Sequence, residues 1–274
     1  MALPVAVQIY SVRDSAEADL ASTLRKIKDM GYDGVEFAGL YGHSADYVKG
    51  LIDAIGLVPL SAHVPLVEML DAPDATFETY AKIGCKFIAV PYVTEERRPG
   101  AEDFFKTIEQ IAELGKTAKK YGITLLYHNH DFEFKKVDGE YGLDIMYSKV
   151  PAEYLQTELD TCWVNIGGEN PAEYIMKYAD RAPVVHLKDF NIEGKLPKHL
   201  YALIGMNDEE DDNEQSSFEF RPVGHGMQDM PAILDASVKA GASWVVVEQD
   251  EPSMGLSRMD SIKASREYLR SIGW

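Results

Sequence analysis

A chain of 274 residues, 46% of them hydrophobic and 26% charged, has an ordinary globular composition and enough apolar material for a sizeable core. Its formal net charge of −18, from 45 acidic and 27 basic residues, would repel phosphate backbones, so we expect no nucleic-acid partner. With no apolar run near the roughly 20 residues that span a bilayer, no leader-like start and no disulfide framework for Cys85 and Cys162, we expect a cytoplasmic protein without a membrane partner.

Short apolar, β-branched segments recur along the chain and alternate with segments of helical periodicity, a pattern that predicts repeated βα units. The predicted strands are 5–9, 34–37, 58–63, 87–92, 124–129, 156–160, 184–187 and 244–248. The predicted helices include about 16–30, 44–55, 76–83, 101–121 and 257–272. Glycines that follow helical segments, Gly31 and Gly56 among them, are typical helix ends.

This alternation favours a single (β/α)8 TIM barrel, one domain over residues 1–274. Segments such as 87–90 and 245–247 are apolar throughout, as expected for strands that are buried on both faces. A doubly wound open sheet is the alternative, but residues 8–13 lack the glycine-rich turn that usually follows its first strand. An acidic, irregular insertion at about 191–226 interrupts the pattern, and we expect it at the catalytic face as a lid or a flexible loop.

Ionisable residues follow four consecutive predicted strands, at 128–133, 158–160, 186–189 and 248–250. In a (β/α)8 barrel the C-terminal ends of the strands meet at one opening, which holds the active site. Carboxylates packed together repel one another unless a cation lies among them. The sequence therefore predicts one divalent metal ion at this opening, and a mixed set of carboxylates and imidazoles suits manganese, magnesium, cobalt or zinc.

Six segments resemble the xylose isomerase-like barrel superfamily, specifically its sugar phosphate isomerase/epimerase branch. They are VQIYSVR at 7–13, YHNHDFEF at 127–134, ELD at 158–160, HLKD at 186–189, PVGHG at 222–226 and VEQD at 247–250. The resemblance covers essentially the whole chain in order. It implies a small-molecule sugar substrate and a divalent metal, with manganese as the first expectation, and it leaves a homo-oligomer open.

The family pattern implies four metal ligands, one from each of strands five to eight. Carried over to this chain, three of them fall on Asp160, His186 and Glu248, each at the end of its predicted strand.

The strand-five ligand is less direct. Many relatives place a glutamate inside this strand, roughly where Tyr127 stands here. The nearest carboxylate, six residues further on, is Glu133, which we predict as the ligand, with His128 or His130 as the competing ligand.

The resemblance also implies the reaction, isomerisation or epimerisation of a keto-sugar through an enediolate, in which the metal polarises the carbonyl. Glu133 and Glu248, on opposite sides of the substrate, are predicted as base and acid. Lys188 would hold a hydroxyl or share the proton transfer, and His63 would bond a substrate oxygen.

Further substrate-binding candidates stand at strand ends or near them, where structural hydrogen bonding or core packing is the alternative interpretation. They are Gln8, Glu36, His128, His130, Trp163 and Arg221.

Three other functions remain as alternatives. A lyase or dehydratase would form the same enolate beside a leaving group and eliminate that group. A phosphodiester-cleaving enzyme would need more metal ligands and a less acidic chain. A non-catalytic sugar-binding barrel would have no need of convergent carboxylates.

Overall fold

Eight parallel strands close into a barrel in which each strand pairs with the next along the chain and the last pairs with the first. The computed structural model describes residues 2–194 and 217–274. The barrel strands are β1 Val5–Gln8, β2 Gly34–Ala38, β3 Val58–His63, β4 Phe87–Val90, β5 Thr124–His128, β6 Gln156–Asp160, β7 Val184–Leu187 and β8 Trp244–Val247. The predicted (β/α)8 barrel is therefore confirmed, and the closed sheet rules out the doubly wound alternative.

Helices follow the strands and surround the barrel. They are α1 Arg13–Ala18, α2 Leu20–Met30, α3 Ala45–Ile55, α4 Leu66–Asp71, α5 Pro73–Ile83, α6 Phe104–Lys120, α7 Gly142–Lys149, α8 Thr161–Ile166, α9 Pro171–Lys177, α10 Met230–Lys239 and α11 Arg258–Ser271. Among the described residues, no helix is both long and apolar enough to cross a membrane.

The segment predicted as one helix over 16–30 consists of two helices, because Asp19 interrupts it with an extended backbone. The Asp19 carboxylate accepts a hydrogen bond from the backbone N–H of Ser22 at 2.9 Å and so caps the start of α2. The helix ends at Gly31, whose φ of 82° is the left-handed conformation that glycine adopts without a steric penalty.

The strand periodicity places the polar residues of the barrel interior above an apolar floor. Ala6, Leu60, Ala89, Leu126, Val184 and Val246 form a separate buried cluster inside the barrel. Because residues two apart in a strand share a face, Leu126, Val184 and Val246 are followed on the inside by His128, His186 and Glu248. The ionisable side chains of the barrel interior therefore lie directly above this apolar layer, toward the C-terminal ends of the strands.

An antiparallel pair of strands follows β7. It joins Asp189–Glu193 to Ser217–Arg221, with Glu193 opposite Ser217. The predicted irregular insertion at 191–226 begins inside this hairpin and ends five residues after it, and its central part, 195–216, lies outside the described residues.

Candidate active site

The C-terminal ends of the barrel strands surround a cavity of about 470 Å³. Its lining combines tyrosine rings with ionisable groups, among them Tyr10, Tyr80, Tyr92, His63, His128, His130, Lys188, Glu248 and Asp250. This is the end of the barrel at which enzymes of this architecture hold their active sites.

Four side chains form what we call the outer cluster: His128 of β5, Asp160 of β6, His186 of β7 and Glu248, which directly follows β8. Each offers one nitrogen or carboxylate oxygen, and these atoms lie within 4.8 Å of one another. Nε2 of His128 is 3.3 Å from Oδ2 of Asp160 and 3.6 Å from Oε2 of Glu248, and Nδ1 of His186 is 3.2 Å from that same Oε2. The structure thus brings together three of the four residues that the sequence predicts as ligands.

The outer cluster has the donor chemistry of a divalent metal site. Nε2 of His128 and Oδ2 of Asp160 are buried without a hydrogen-bond partner among the described residues, although only 3.3 Å separates them. A buried polar atom that lacks a partner costs about 1–3 kcal/mol, and a cation between the two atoms would satisfy both. Two imidazoles and two carboxylates suit zinc, cobalt or manganese.

Lys188 is the buried cation of this site. Its Nζ lies 2.8 Å from Oδ2 of Asp250, 2.9 Å from Oε2 of Glu248 and 3.5 Å from Oδ2 of Asp160. Burial acts to lower the pKa of Lys188, but Asp250 and Glu248 outweigh it and hold the pKa well above its usual value. The side chain is therefore an ammonium group, and it packs 5.5 Å from the ring centroid of Trp163.

A second group, which we call the inner cluster, comprises Glu36, His63, Glu158 and the far side of His186. Its donor atoms also lie within 4.8 Å of one another. Nε2 of His63 lies 2.7 Å from Oε2 of Glu158 and 3.1 Å from Oε1 of Glu36, while Nε2 of His186 lies 2.8 Å from Oε1 of Glu36. Glu158 precedes Asp160 by two residues in β6, so this cluster lies deeper in the barrel than the outer one.

His186 separates the two clusters, because its Nδ1 faces Glu248 and its Nε2 faces Glu36 and Glu158. Burial acts to lower the pKa of His186, but the surrounding carboxylates hold it well above its usual value. Burial likewise acts to raise the pKa of Glu158, but His186 and His63 hold it well below its usual value. The protonation of each of these buried groups therefore depends strongly on the charge of the others.

Glu133 takes part in neither cluster. Its Oε1 accepts a hydrogen bond from the Tyr127 hydroxyl at 2.6 Å, and its Oε2 accepts one from the backbone N–H of His130 at 2.8 Å. Burial raises the pKa of Glu133 to about 7, against the opposing effect of these hydrogen bonds. Of the strand-five candidates, it is His128 that lies beside the other three predicted ligands.

The remaining substrate-binding candidates differ in position. His130 lines the cavity, and its burial, together with the nearby His128, holds its pKa well below its usual value. Gln8, Glu36, Trp163 and Arg221 are absent from the described lining of that cavity. A direct contact between these four side chains and a substrate therefore stays a prediction.

Two charged residues of the site lie in the ionisable segments at the strand ends, but no role is predicted for either of them from the sequence. Glu158 stands two residues before Asp160, and Asp250 stands two residues after Glu248. Since residues two apart share a strand face, the strand period alone directs Glu158 into the barrel with Asp160.

The fold and this arrangement of side chains define a barrel with a candidate metal site at its mouth. Residues 24–272 match the sequence model of the family described as xylose isomerase-like TIM barrel, and the chain belongs to this family. The family expected from the sequence is thereby confirmed.

Two curated relatives are inosose dehydratases. The chain is 23% identical to that of Lacticaseibacillus casei over 163 residues, which cover 58% of this chain and 51% of the relative. It is 24% identical to that of Bacillus licheniformis over 251 residues, which cover 88% of this chain and 77% of the relative. The chain thus matches about half the length of the first of these relatives.

Two solved structures share the fold over nearly the whole chain. A sugar phosphate isomerase/epimerase from Parabacteroides distasonis ATCC 8503 aligns with a TM-score of 0.77 and 21% identity, over 100% of this chain and 95% of that one. The IOLI protein, whose structure has a binding zinc atom, aligns with a TM-score of 0.72 and 18% identity, over 98% of each chain.

Proposed function

We propose that this chain is a metal-dependent enzyme that removes a proton next to the carbonyl group of a keto sugar or keto polyol. The observation that carries the proposal is the outer cluster, in which His128, Asp160, His186 and Glu248 place four donor atoms within 4.8 Å at the mouth of the barrel. The chain belongs to the xylose isomerase-like TIM barrel family, and the proteins similar to it include an inosose dehydratase and a sugar phosphate isomerase/epimerase, which supports the proposal.

In this proposal His128 replaces Glu133 as the ligand from strand five. Both oxygens of Glu133 already accept hydrogen bonds, whereas Nε2 of His128 is buried without such a partner among the described residues. A divalent cation bound here would polarise the substrate carbonyl and stabilise negative charge on its oxygen.

The side chains that line the cavity supply the proton transfers. Glu248 is the proposed base, since its carboxylate belongs to the cavity wall and to the outer cluster. The Lys188 ammonium, 2.9 Å from Glu248, would donate a hydrogen bond or a proton to an oxygen of the substrate. His130, whose pKa is held low by burial, would offer a neutral imidazole to another substrate oxygen.

Within this reaction class we propose elimination of water, or of another leaving group, as the outcome. Epimerisation with two carboxylates needs one on each face of the substrate, and Glu133, the predicted partner of Glu248, is bonded away from the cavity. Elimination needs only one base and a proton donor near the leaving group, roles that Glu248 and Lys188 would fill.

Isomerisation or epimerisation is the second candidate, and the position of His63 favours it. His63 lines the cavity and does not belong to the outer cluster, so its imidazole would return a proton to the opposite face of an enediolate.

The metal site is tested by elemental analysis of the chelator-free protein after gel filtration. His128→Ala and Asp160→Asn should each lose the outer cation, whereas Glu133→Gln should keep the metal content of the wild type. A wild type that stays metal-free after incubation with manganese, cobalt and zinc would contradict the proposal.

The reaction is tested with a panel of keto sugars and keto polyols in deuterated water, followed by NMR. Elimination should give a product that has lost the leaving group, while epimerisation should give a stereoisomer that carries deuterium at the inverted carbon. Glu248→Gln should abolish either reaction, and deuterium exchange that persists in this variant would remove Glu248 as the base.

A further inference from the structure

The inner cluster has features that the proposed function leaves unexplained. We propose that it binds a second divalent cation, held by Glu36, His63, Glu158 and Nε2 of His186. This cation would lie deeper in the barrel than the first, and the two would bind to opposite nitrogens of the same imidazole ring.

Oε1 of Glu158 and Nε2 of His186 belong to fully buried side chains and have no hydrogen-bond partner among the described residues. Oε1 of Glu36 approaches this Nε2 to 2.8 Å, yet the pair lacks the alignment of a hydrogen bond. Close donor atoms that leave their hydrogen-bonding capacity unused are arranged as the ligands of a common cation are.

Two hydrogen bonds hold the Glu36 carboxylate in place. Gln8 Nε2 donates to its Oε1 at 2.7 Å, and Ser61 Oγ donates to its Oε2 at 2.5 Å. Hydrogen bonds of this kind fix the orientation of ligating carboxylates in metal sites. The Oε1 atom held in this way lies 3.1 Å from Nε2 of His63 and 2.8 Å from Nε2 of His186.

The test is the stoichiometry and position of the metal in the full chain. Chelator-stripped protein is loaded with Mn²⁺, Co²⁺ or Zn²⁺ and freed of excess ion. Elemental analysis then gives the number of bound ions per chain, and anomalous X-ray scattering at the metal edge gives their positions. The wild type should hold two equivalents. Glu158→Gln and His63→Gln should each hold one, at the outer cluster, and Asp160→Asn should retain the inner cation.

Glu68→Gln is the matched control, because Glu68 lines the same cavity but belongs to neither cluster, and it should hold two equivalents. One equivalent in the wild type, located at the outer cluster, would overturn this inference and leave the proposed function intact. No bound metal would overturn both. Using both Glu158→Gln and His63→Gln protects the test against the failure of one variant to fold.

Discussion

Glu133 is a buried carboxyl group held by two hydrogen bonds, one from the Tyr127 hydroxyl and one from the backbone N–H of His130. The second bond closes the turn that follows β5, and from this turn His130 reaches the cavity beside His128, the last residue of β5. Glu133 therefore supports the site by holding the backbone of this turn. Substitution of Glu133 should change the free energy of unfolding more than it changes the metal content.

The pKa of Glu133, raised to about 7 by burial, predicts a pH dependence of stability. Between about pH 4.5 and 7 the folded state holds a proton that the unfolded state has released, so this group lowers the free energy of unfolding as the pH rises. Glu133→Gln should remove that part of the slope, measured by urea unfolding from pH 5 to 8. The exposed Glu140→Gln is the control, and equal slopes in wild type and Glu133→Gln would contradict the assignment.

The pKa of Asp144 is shifted in the opposite direction to that of Glu133. Its partial burial acts to raise the pKa, but hydrogen bonds from Lys177, Tyr178 and Tyr174 outweigh this and lower it. The stabilisation that ionised Asp144 gives the folded state is therefore present above the pKa of Asp144 in the unfolded chain. It is lost as the pH falls through the lower pKa of Asp144 in the folded chain. Asp144→Asn should be less stable than the wild type at pH 7 and the two should converge at acid pH, as followed by thermal unfolding. A difference that does not depend on pH would contradict the ionic account.

At the scale of elements, Asp189 anchors the loop that returns from the hairpin to α10. Its Oδ2 accepts hydrogen bonds from the backbone N–H groups of Gly224 and Gly226, at 2.9 and 3.0 Å, and its Oδ1 accepts those of Phe190 and Gln228, at 2.9 and 3.2 Å. One carboxylate thus joins the start of the hairpin to the whole of this loop.

Replacing Asp189 by Asn would turn an amide NH₂ group toward two of these donors. Two N–H groups would lose their acceptor, at up to about 1–3 kcal/mol each before relaxation, and those of Gly224 and Gly226 are partly buried. We expect a lower free energy of unfolding and faster hydrogen exchange at the Gly224 and Gly226 amides. Asp229→Asn, which changes the cap of α10 instead, should leave these amides protected. Unchanged exchange in Asp189→Asn would show that the loop is held by other contacts.

The sequence predicts elements well where one period dominates. β3, β6 and β7 begin and end where the apolar pattern places them, and Asp160 and His186 follow from the ends of those strands. The turn after β5 has no such period. The period of β5 directs His128 inward after Leu126, but the position of Glu133 depends on hydrogen bonds from Tyr127 and from the backbone, which sequence spacing alone leaves undetermined.

At the scale of the molecule, the C-terminal mouth concentrates negative charge in a chain whose formal charge is already −18. Asp160, Glu248 and Asp250 face a single ammonium group, that of Lys188, among the described contacts of these carboxylates. Binding of divalent cations should therefore stabilise the folded chain by mass action, by about 2.7 kcal/mol when the free ion is at 100 times its Kd.

Chelation reverses that stabilisation. Adding EDTA to the metal-loaded protein should lower the Tm by several degrees, since about 1 kcal/mol corresponds to roughly 2–4 °C in a chain of this size. His186→Ala, which removes a donor from both clusters, should show little response to EDTA or to added metal in differential scanning calorimetry. A wild-type Tm indifferent to chelator would contradict a structural contribution from the metal.

The hairpin that follows β7 has a consequence for changes in the length of the chain. Because Glu193 pairs with Ser217, the chain leaves the hairpin and re-enters it at neighbouring points. The entropy of closing a loop between two such ends changes only with the logarithm of the loop length. Insertion or removal of residues between these two ends should therefore cost little in loop closure, and the strands that carry the candidate ligands would keep their register.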